Sequence, residues 1–263
     1  MNIYILTLFP ELFDNYLEHS LVKRAREINL VDFKLINFRD FTYDKHRTVD
    51  DIPFGGGSGM VIKPEPVIKA FLSIPAEQRE TGKKIVPSAR GILFNQTHAE
   101  QLSTNDALIF FAGRYKGFDQ RIVELMEAEE YSIGDYVIQG GEIAVMTMLD
   151  AILRLIPGFL GDEDSAATDS FAGEKKLLSA PDYTRPREFM GKAVPDVLVS
   201  GDHKKIAEWK HRESLRLTME RRTELISQAR LDKDDIRILD EIKAGSYKDE
   251  PLEHNLNQDR RKL

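Results

Sequence analysis

The feature that most constrains the fold is a succession of short apolar segments separated by segments with helical periodicity. The strongest strand candidate, residues 107–112, is a continuous apolar run ended by Gly113. Strands that alternate with helices are typical of a parallel sheet in an α/β fold. The predicted strands are 2–8, 31–37, 84–87 and 107–112, and the predicted helices are 10–16, 22–29, 119–127 and 142–156.

Two glycine-bearing loops, residues 113–119 and 132–142, are candidates for ligand binding, because parallel sheets bind ligands at the carboxyl ends of their strands. Gly140 and Gly141 allow a close approach of a ligand to the main chain. Glu142 falls in the first turn of the following helix, where negative charge is favoured. We therefore expect a loop that binds a small ligand through backbone groups.

Composition excludes several classes of protein. The 263 residues include no cysteine, which rules out disulfides, cysteine-ligated zinc and thiol catalysis and fits a reducing cytoplasm. No apolar run approaches the ~20 residues needed to span a bilayer. The first eight residues predict a strand and not a signal peptide. Because the net charge is −7, any nucleic-acid site must be a local basic patch.

The character of the chain changes after Gly158. Residues 1–160 form the first predicted domain, and 161–173 are acidic and rich in small residues, which indicates a flexible linker or lid. A smaller, mainly helical domain is expected over 174–246, followed by a polar tail at 247–263. Residues 201–230 carry eight Lys or Arg against five Asp or Glu. Such a bias indicates either a solvated helix face or an RNA-binding surface.

Several residues are candidates for chemistry. A glycine-rich loop at 55–59 follows His46 and Arg47, but it lacks the lysine and hydroxyl residue of a nucleotide-binding P-loop. It is either a flexible connection or a contact to RNA phosphate. The six histidines do not form the close pairs of a zinc site.

The 142–156 helix carries a polar stripe on an otherwise apolar surface. Thr147, Asp150 and Arg154 fall within roughly 60° of one another on a helical wheel. The spacing of Asp150 and Arg154 favours an intrahelical ion pair, although Arg154 could instead face a ligand. Asp169, in the acidic linker, is a further candidate acid.

Several short motifs, taken together, resemble bacterial tRNA (guanine-N1)-methyltransferases, the TrmD family of the SPOUT class. They occur in the family's order and spacing from residue 1 to about residue 225. They are Arg47-Thr-Val-Asp-Asp51, Gly55-Gly-Gly57, Gly113-Arg-Tyr115, Ser132-Ile-Gly-Asp-Tyr-Val137, Gly140-Gly-Glu142, Ile156-Pro-Gly158, Asp169-Ser-Phe171 and Tyr183-Thr-Arg-Pro186.

This resemblance implies an α/β fold with a trefoil-knotted, parallel-sheet domain over 1–160. It also implies methyl transfer from S-adenosylmethionine to N1 of the guanosine at tRNA position 37, 3′ of the anticodon. The family works as a cytoplasmic homodimer whose chains share each active site and clamp the tRNA. Its catalytic residues match Asp169, as general base, and Arg154, as the group that stabilises O6.

The resemblance also assigns binding residues. Those expected at the cofactor are Pro87, Ser88, Gly113, Tyr115, Ile133, Gly134, Asp135, Tyr136, Val137, Ile138, Gly140 and Gly141. Those expected at the tRNA are His46, Arg47, Asp50, Gly59, Arg114, Lys204 and Lys210.

The chain departs from the family pattern at three positions. Arg90 lies in a loop that reads Pro87-Ser-Ala-Arg-Gly91 where the family has Leu-Ser-Pro-Gln-Gly. Lys116 replaces a glutamate, and Gln139 replaces a small residue. Because that glutamate often lies near a divalent ion, its loss removes support for bound Mg²⁺, and the sequence identifies no metal site.

Two alternatives remain open at this point. One is a knotted methyltransferase that acts on another RNA, and the other is a non-catalytic RNA-binding protein on the same fold. The first would not need the Asp169 segment or the 47–59 loop, and the second would tolerate loss of Asp169 or Arg154. All of these features are present.

Overall fold

Five segments of the chain pair into one parallel sheet. The computed structural model describes residues 1–161 and 168–245. The strands are β1 (Asn2–Thr7), β2 (Asp32–Asn37), β5 (Lys83–Leu93), β6 (Ala107–Phe111) and β7 (Glu129–Ser132). Their order in the sheet is β2-β1-β6-β5-β7, and every neighbouring pair is parallel. The predicted parallel α/β sheet is confirmed.

Helices cover both faces of this sheet. One apolar cluster on β1 and β6 includes Ile3, Ile5 and Phe110, and the other includes Leu6 and Phe111. All five side chains are fully buried. The two clusters follow from the alternation of side chains along a strand. The helices of this part are α1 (Asp14–Leu17), α2 (Ser20–Glu27), α3 (Pro64–Leu72), α4 (Ala76–Thr81), α5 (Gln96–Ser103), α6 (Gln120–Met126) and α7 (Gly141–Leu153).

Strand β5 is much longer than the predicted strand over 84–87. Its pairing with β7 shifts register between Pro87 and Ile92, so the residues between them leave the ladder. Strand β7 itself was not predicted, because its sequence Glu-Glu-Tyr-Ser has little apolar character. It pairs with β5 alone and lies at the edge of the sheet, where polar side chains are tolerated.

Helix α7 ends three residues before the predicted boundary. Arg154 is its C-terminal cap, and Pro157 follows shortly after. A residue before proline avoids helical geometry, so Ile156 cannot continue the helix easily. The predicted polar stripe is real, since Thr147 and Asp150 are exposed and Arg154 is half-buried.

Chain contacts divide the protein into two units, 1–163 and 164–263. The second unit contains α8 (His203–Arg221), α9 (Thr223–Gln228) and α10 (Lys233–Lys243). A core of Leu177, Leu215, Ile238 and Leu239 holds these helices together. The structure also has two antiparallel ribbons. The first unit contains β3 (Asp50–Asp51) with β4 (Val61–Ile62), and the second contains β8 (Glu188–Phe189) with β9 (Lys192–Ala193). The expected mainly helical C-terminal part is confirmed.

Two earlier expectations lie partly or wholly outside the described residues. Most of the acidic part of the predicted linker, residues 162–167, is outside them, and so is the predicted tail at 247–263. Within 1–161 and 168–245, no helix combines the length and the apolar character needed to cross a membrane.

Candidate active site

The register shift in the middle of β5, together with the carboxyl ends of β6 and β7, encloses a cavity of about 360 Å³ in the first unit. Three segments form its walls: residues 86–90 of β5, the 113–118 loop after β6, and the 130–141 stretch that leads from β7 into α7. This is the edge at which parallel sheets bind ligands. The size falls in the range of small-molecule sites, roughly 300–1,000 Å³.

The residues predicted at a cofactor are brought together here, although they span more than fifty positions of sequence. Asp135 alone among them does not line the cavity. Those that do are Pro87, Ser88, Gly113, Tyr115, Ile133, Gly134, Tyr136, Val137, Ile138, Gly140 and Gly141. Their role in cofactor binding stays a prediction, but their convergence on one cavity is a property of the structure.

Several glycines of this site are required by the packing of the loops on one another. A Cβ added to Gly141 would lie 2.8 Å from the backbone nitrogen of Gly113. One added to Gly113 would lie 2.9 Å from the Phe118 ring, and one added to Gly91 would lie 2.4 Å from the backbone of Glu130. The sequence interpretation attributed glycine in these loops to close approach of a ligand, and the structure adds close approach of neighbouring backbone.

The cavity also has lining residues that the sequence analysis missed. Glu130 and Tyr131 come from the unpredicted strand β7. The Tyr131 hydroxyl donates a hydrogen bond of 2.7 Å to Glu129. Burial, together with this carboxylate, raises the pKa of Tyr131 to about 12. The phenol therefore remains protonated at neutral pH, and the hydrogen bond lowers the pKa of Glu129.

The three departures from the family pattern all line the cavity: Arg90, Lys116 and Gln139. Arg90 Nη2 lies 3.1 Å from Gln120 Oε1 and 3.4 Å from Glu130 Oε1, so part of its charge is compensated. Lys116 lies across the glycine-rich loop, where a Cβ on Gly57 would meet its Nζ at 3.3 Å.

The glycine-rich loop itself adopts a backbone that other residues avoid. Gly55, Gly56, Gly57 and Gly59 all have positive φ, between 81° and 106°. Hydrogen bonds from Lys116 N to Met60 O and from Ile62 N to Gly117 O join the segment after it to the 113–118 loop. Of the residues predicted at tRNA in this region, His46 and Arg47 are exposed, Arg47 contacts Asp40, and Asp50 begins β3.

A largely buried ion pair joins Arg114 of the cavity wall to Glu142, and sequence reasoning did not find it. Glu142 Oε2 and Arg114 Nε are 2.9 Å apart, and the Glu142 side chain is only 1% exposed. The two atoms do not meet in hydrogen-bond geometry, so charge holds the contact. The other carboxylate oxygen accepts a hydrogen bond of 2.9 Å from the Thr7 hydroxyl. Arg114, expected at tRNA, is thus largely enclosed by its own chain.

Asp169 belongs to the second unit, in a folded segment. The Phe171 amide donates to Leu177 O at 2.7 Å, and the Ser179 amide donates to Ser170 Oγ at 3.0 Å. Asp169 is half-buried and lines a second cavity that also includes Lys210 and His211. Hydrogen bonds within the second unit therefore hold the backbone next to Asp169 at the wall of this cavity.

The basic residues of α8 are largely paired with acids. Lys210 lies 3.6 Å from Asp182, and Lys204 lies 3.9 Å from Glu208. Exposed ion pairs of this kind contribute little to the stability of the fold, so these lysines can readily exchange their acidic partners for other anions. Across the part of the chain that is described, histidines and acids form no cluster of three or more that could hold a metal ion.

Fold and cavity together define an α/β protein with a small-molecule site built by loops at the carboxyl edge of a parallel sheet. The model of the family described as tRNA (Guanine-1)-methyltransferase TrmD matches residues 1–228. The chain belongs to this family.

Curated relatives are similar in sequence to this chain over nearly their whole length. A tRNA (guanine-N(1)-)-methyltransferase of Dictyoglomus turgidum is 47% identical over 243 residues, which cover 92% of this chain and 97% of that protein. One of Staphylococcus carnosus is 48% identical, with 92% and 98% coverage. One of Dehalococcoides mccartyi is 46% identical, with 93% and 98% coverage.

Proposed function

We propose that this protein transfers a methyl group from S-adenosylmethionine to N1 of the guanosine at position 37 of tRNA. Membership of the family supports guanine-N1 methylation of tRNA. The observation that carries the rest is the cavity at the carboxyl edge, because the segments that resemble the family's cofactor loops are its walls.

The residues of this cavity fit the proposed cofactor. Ile133, Ile138 and Ala144 supply apolar surface, and the glycine-bearing loops present backbone groups that suit a purine. Val86 and Val123 extend the apolar surface on the β5 side. When bound, S-adenosylmethionine supplies the methyl group.

Methylation at guanine N1 requires removal of the N1 proton, and negative charge then develops on O6. We assign the proton to the Asp169 carboxylate and the charge on O6 to the Arg154 guanidinium. A positioned general base contributes about 10²- to 10⁴-fold to a rate. Arg154 is the C-terminal cap of α7 and does not line the cavity, so its assignment rests on the resemblance of its motif to the family.

We also propose a cytoplasmic homodimer with the family's trefoil knot. The support for the dimer is a set of apolar side chains that stand exposed in one chain, on segments that form or adjoin the cavity walls. Val137 is 93% exposed and Ile143 is 62% exposed. Exposed apolar patches, where they are contiguous, often mark protein–protein interfaces. Ile143→Glu is expected to lower the molar mass measured by light scattering, while an unchanged mass would argue against this surface.

The test of the activity is transfer of radiolabelled methyl groups to two tRNA transcripts, one with guanosine and one with adenosine at position 37. Label on the guanosine transcript alone supports the assignment. Equal labelling of both would refute the position. Ribosomal RNA serves as a third substrate. Label on ribosomal RNA and on neither transcript would favour a knotted methyltransferase that acts on another RNA.

The assignment of the base is tested with Asp169→Asn, which keeps the size of the side chain and removes the charge. We expect a rate loss of about 10²- to 10⁴-fold. Asp234→Asn is the matched control, since Asp234 lies in the same unit and its side chain is 82% exposed. Full activity of Asp169→Asn would overturn the role of Asp169.

A further inference from the structure

The buried pair of Glu142 and Arg114 has no place in the proposed chemistry. Its position is nevertheless specific, because it joins the two loops that face each other across the cavity. Arg114 belongs to the 113–118 loop, and Glu142 is the second residue of α7, directly after the 130–141 stretch. Thr7 ends β1 and is fully buried.

The main chain already brings these loops together at one point. The Gly141 amide donates to Gly113 O at 2.7 Å, and Arg114 and Gly140 form an isolated antiparallel bridge. The other backbone hydrogen bonds of the 113–118 loop run to residues 60–62 or stay within the loop. The ion pair adds a side-chain connection between the 113–118 loop and the start of α7.

The space at Gly140 shows how closely the pair is enclosed. A Cβ at this position would lie 2.4 Å from Arg114 Nε and 2.6 Å from Glu142 Oε2. Gly140 therefore makes room for the pair. The Arg114 guanidinium also lies 4.6 Å from the centroid of the Phe9 ring, which covers it from the β1 side.

Each partner is held from a different element. The Thr7 hydroxyl donates to Glu142 Oε1 at 2.9 Å and accepts a 3.0 Å hydrogen bond from the Phe9 amide. The Glu142 carboxylate also lies in the first turn of α7, where the helix favours an anion. The end of the central strand β1 thus orients Glu142, and Glu142 orients Arg114.

A buried ion pair is a poor way to stabilise a fold, because desolvation offsets most of the attraction. Its consequence here is geometric. We propose that Glu142 is a positioning residue that holds Arg114, and with it the 113–117 backbone, in the conformation that receives S-adenosylmethionine. The identity of the ligand in this inference rests on the proposed function. The effect of Glu142 on the order of the loops does not depend on that function.

The test compares Glu142→Gln with the wild type in two independent measurements. The first is hydrogen exchange of the backbone amides of residues 113–117 and 134–141 without any ligand. We expect faster exchange in both loops of the variant, with the amides of β1 and β6 unchanged. Equal exchange in both proteins would overturn the proposal, whatever the ligand is.

The second measurement is the dissociation constant of S-adenosylhomocysteine by calorimetry, together with kcat and KM for S-adenosylmethionine. Loss of a charged supporting partner is expected to weaken binding by about tenfold to a hundredfold and to raise KM, with a smaller change in kcat. A fall in kcat at constant KM would overturn a role in positioning. If the wild type itself binds no S-adenosylhomocysteine, the proposed function fails, and hydrogen exchange still decides the role of Glu142.

Two further variants keep the test decisive if Glu142→Gln folds poorly. Thr7→Val removes the hydroxyl that orients Glu142, and with it the acceptor of the Phe9 amide, so it should reproduce the loop effect in weaker form. Glu18→Gln removes an exposed partner of Arg26 in the same unit and does not touch the cavity. We expect wild-type loop exchange and wild-type binding from this control, and the same loosening in it would show a general effect of lost charge.

Discussion

Replacement of Gly141 by alanine tests whether the packing of the two cavity loops is as close as the structure shows. Alanine is the better helix former by about 1 kcal/mol, and Gly141 has no positive φ that would oppose the change. Propensity alone therefore predicts a more stable protein. The added Cβ would, however, lie 2.8 Å from Gly113 N and 3.0 Å from Ala112 Cα.

Both of these atoms are backbone, so the conflict cannot be relieved by turning a side chain. Overpacking of this kind costs about 1–3 kcal/mol. Loss of the 2.7 Å hydrogen bond from Gly141 N to Gly113 O costs about 0.5–1.5 kcal/mol more. After subtraction of the gain in propensity, the variant should lose about 2 kcal/mol. For a unit of this size, that corresponds to about 4–8 °C in Tm.

The assay is thermal unfolding followed by calorimetry, with binding of S-adenosylhomocysteine as a second measurement. Gly161→Ala is the matched control, because a Cβ there has no neighbour within 4 Å and the backbone is equally permissive. Its Tm should stay within about 1–2 °C of the wild type, as for most surface changes. A Gly141→Ala protein that melts at or above the wild-type temperature and binds the ligand normally would refute the argument.

Three further predictions concern charge and packing elsewhere. Burial raises the pKa of Asp235, but hydrogen bonds from Lys175, the Asp232 amide and His211 outweigh it and lower this pKa. The stabilising effect of the Asp235 carboxylate is therefore present above its ordinary pKa and is lost as pH falls through the lowered value. Urea unfolding should show the gap in stability between wild type and Asp235→Asn narrowing from pH 5 to pH 3, whereas a constant gap would contradict the coupling. If Lys116 contacts a tRNA phosphate, Lys116→Gln should make the slope of log K against log salt shallower by about 0.7–0.9, and an unchanged slope would exclude that contact. Leu215→Ala, at a fully buried position of the second unit, should cost about 2–5 kcal/mol in chemical denaturation, and a loss below about 1 kcal/mol would mean that this core is loosely packed.

The strands of the central sheet could be predicted wherever apolar character was continuous. Residues 107–112 were predicted as a strand, and β6 occupies 107–111, because five consecutive buried positions leave an unbroken apolar run. The edge strand β7 could not be found in this way. Its two glutamates are compatible with a strand only because one side of it has no neighbour, and that is decided by the order of strands in the sheet.

The walls of the cavity could be predicted from motifs, but their mutual contacts could not. Glycine at 113, 140 and 141 marked loops with unusual backbone, and the family motifs in the same loops indicated a cofactor. That these glycines make room for neighbouring backbone and for a buried ion pair depends on which loops meet.

Amino-acid sequence by itself determined the α/β class, the positions of the cavity loops and the family, since periodicity, glycine placement and short motifs are local properties. Only the tertiary structure decided that Glu142 is buried between Thr7 and Arg114, because Thr7 lies 135 positions away along the chain. A glutamate at the start of a helix is ordinarily a solvated one. The parallel sheet places the end of β1 next to the start of that helix. The Glu142 carboxylate is therefore buried beside the site, where it contacts both Thr7 and Arg114.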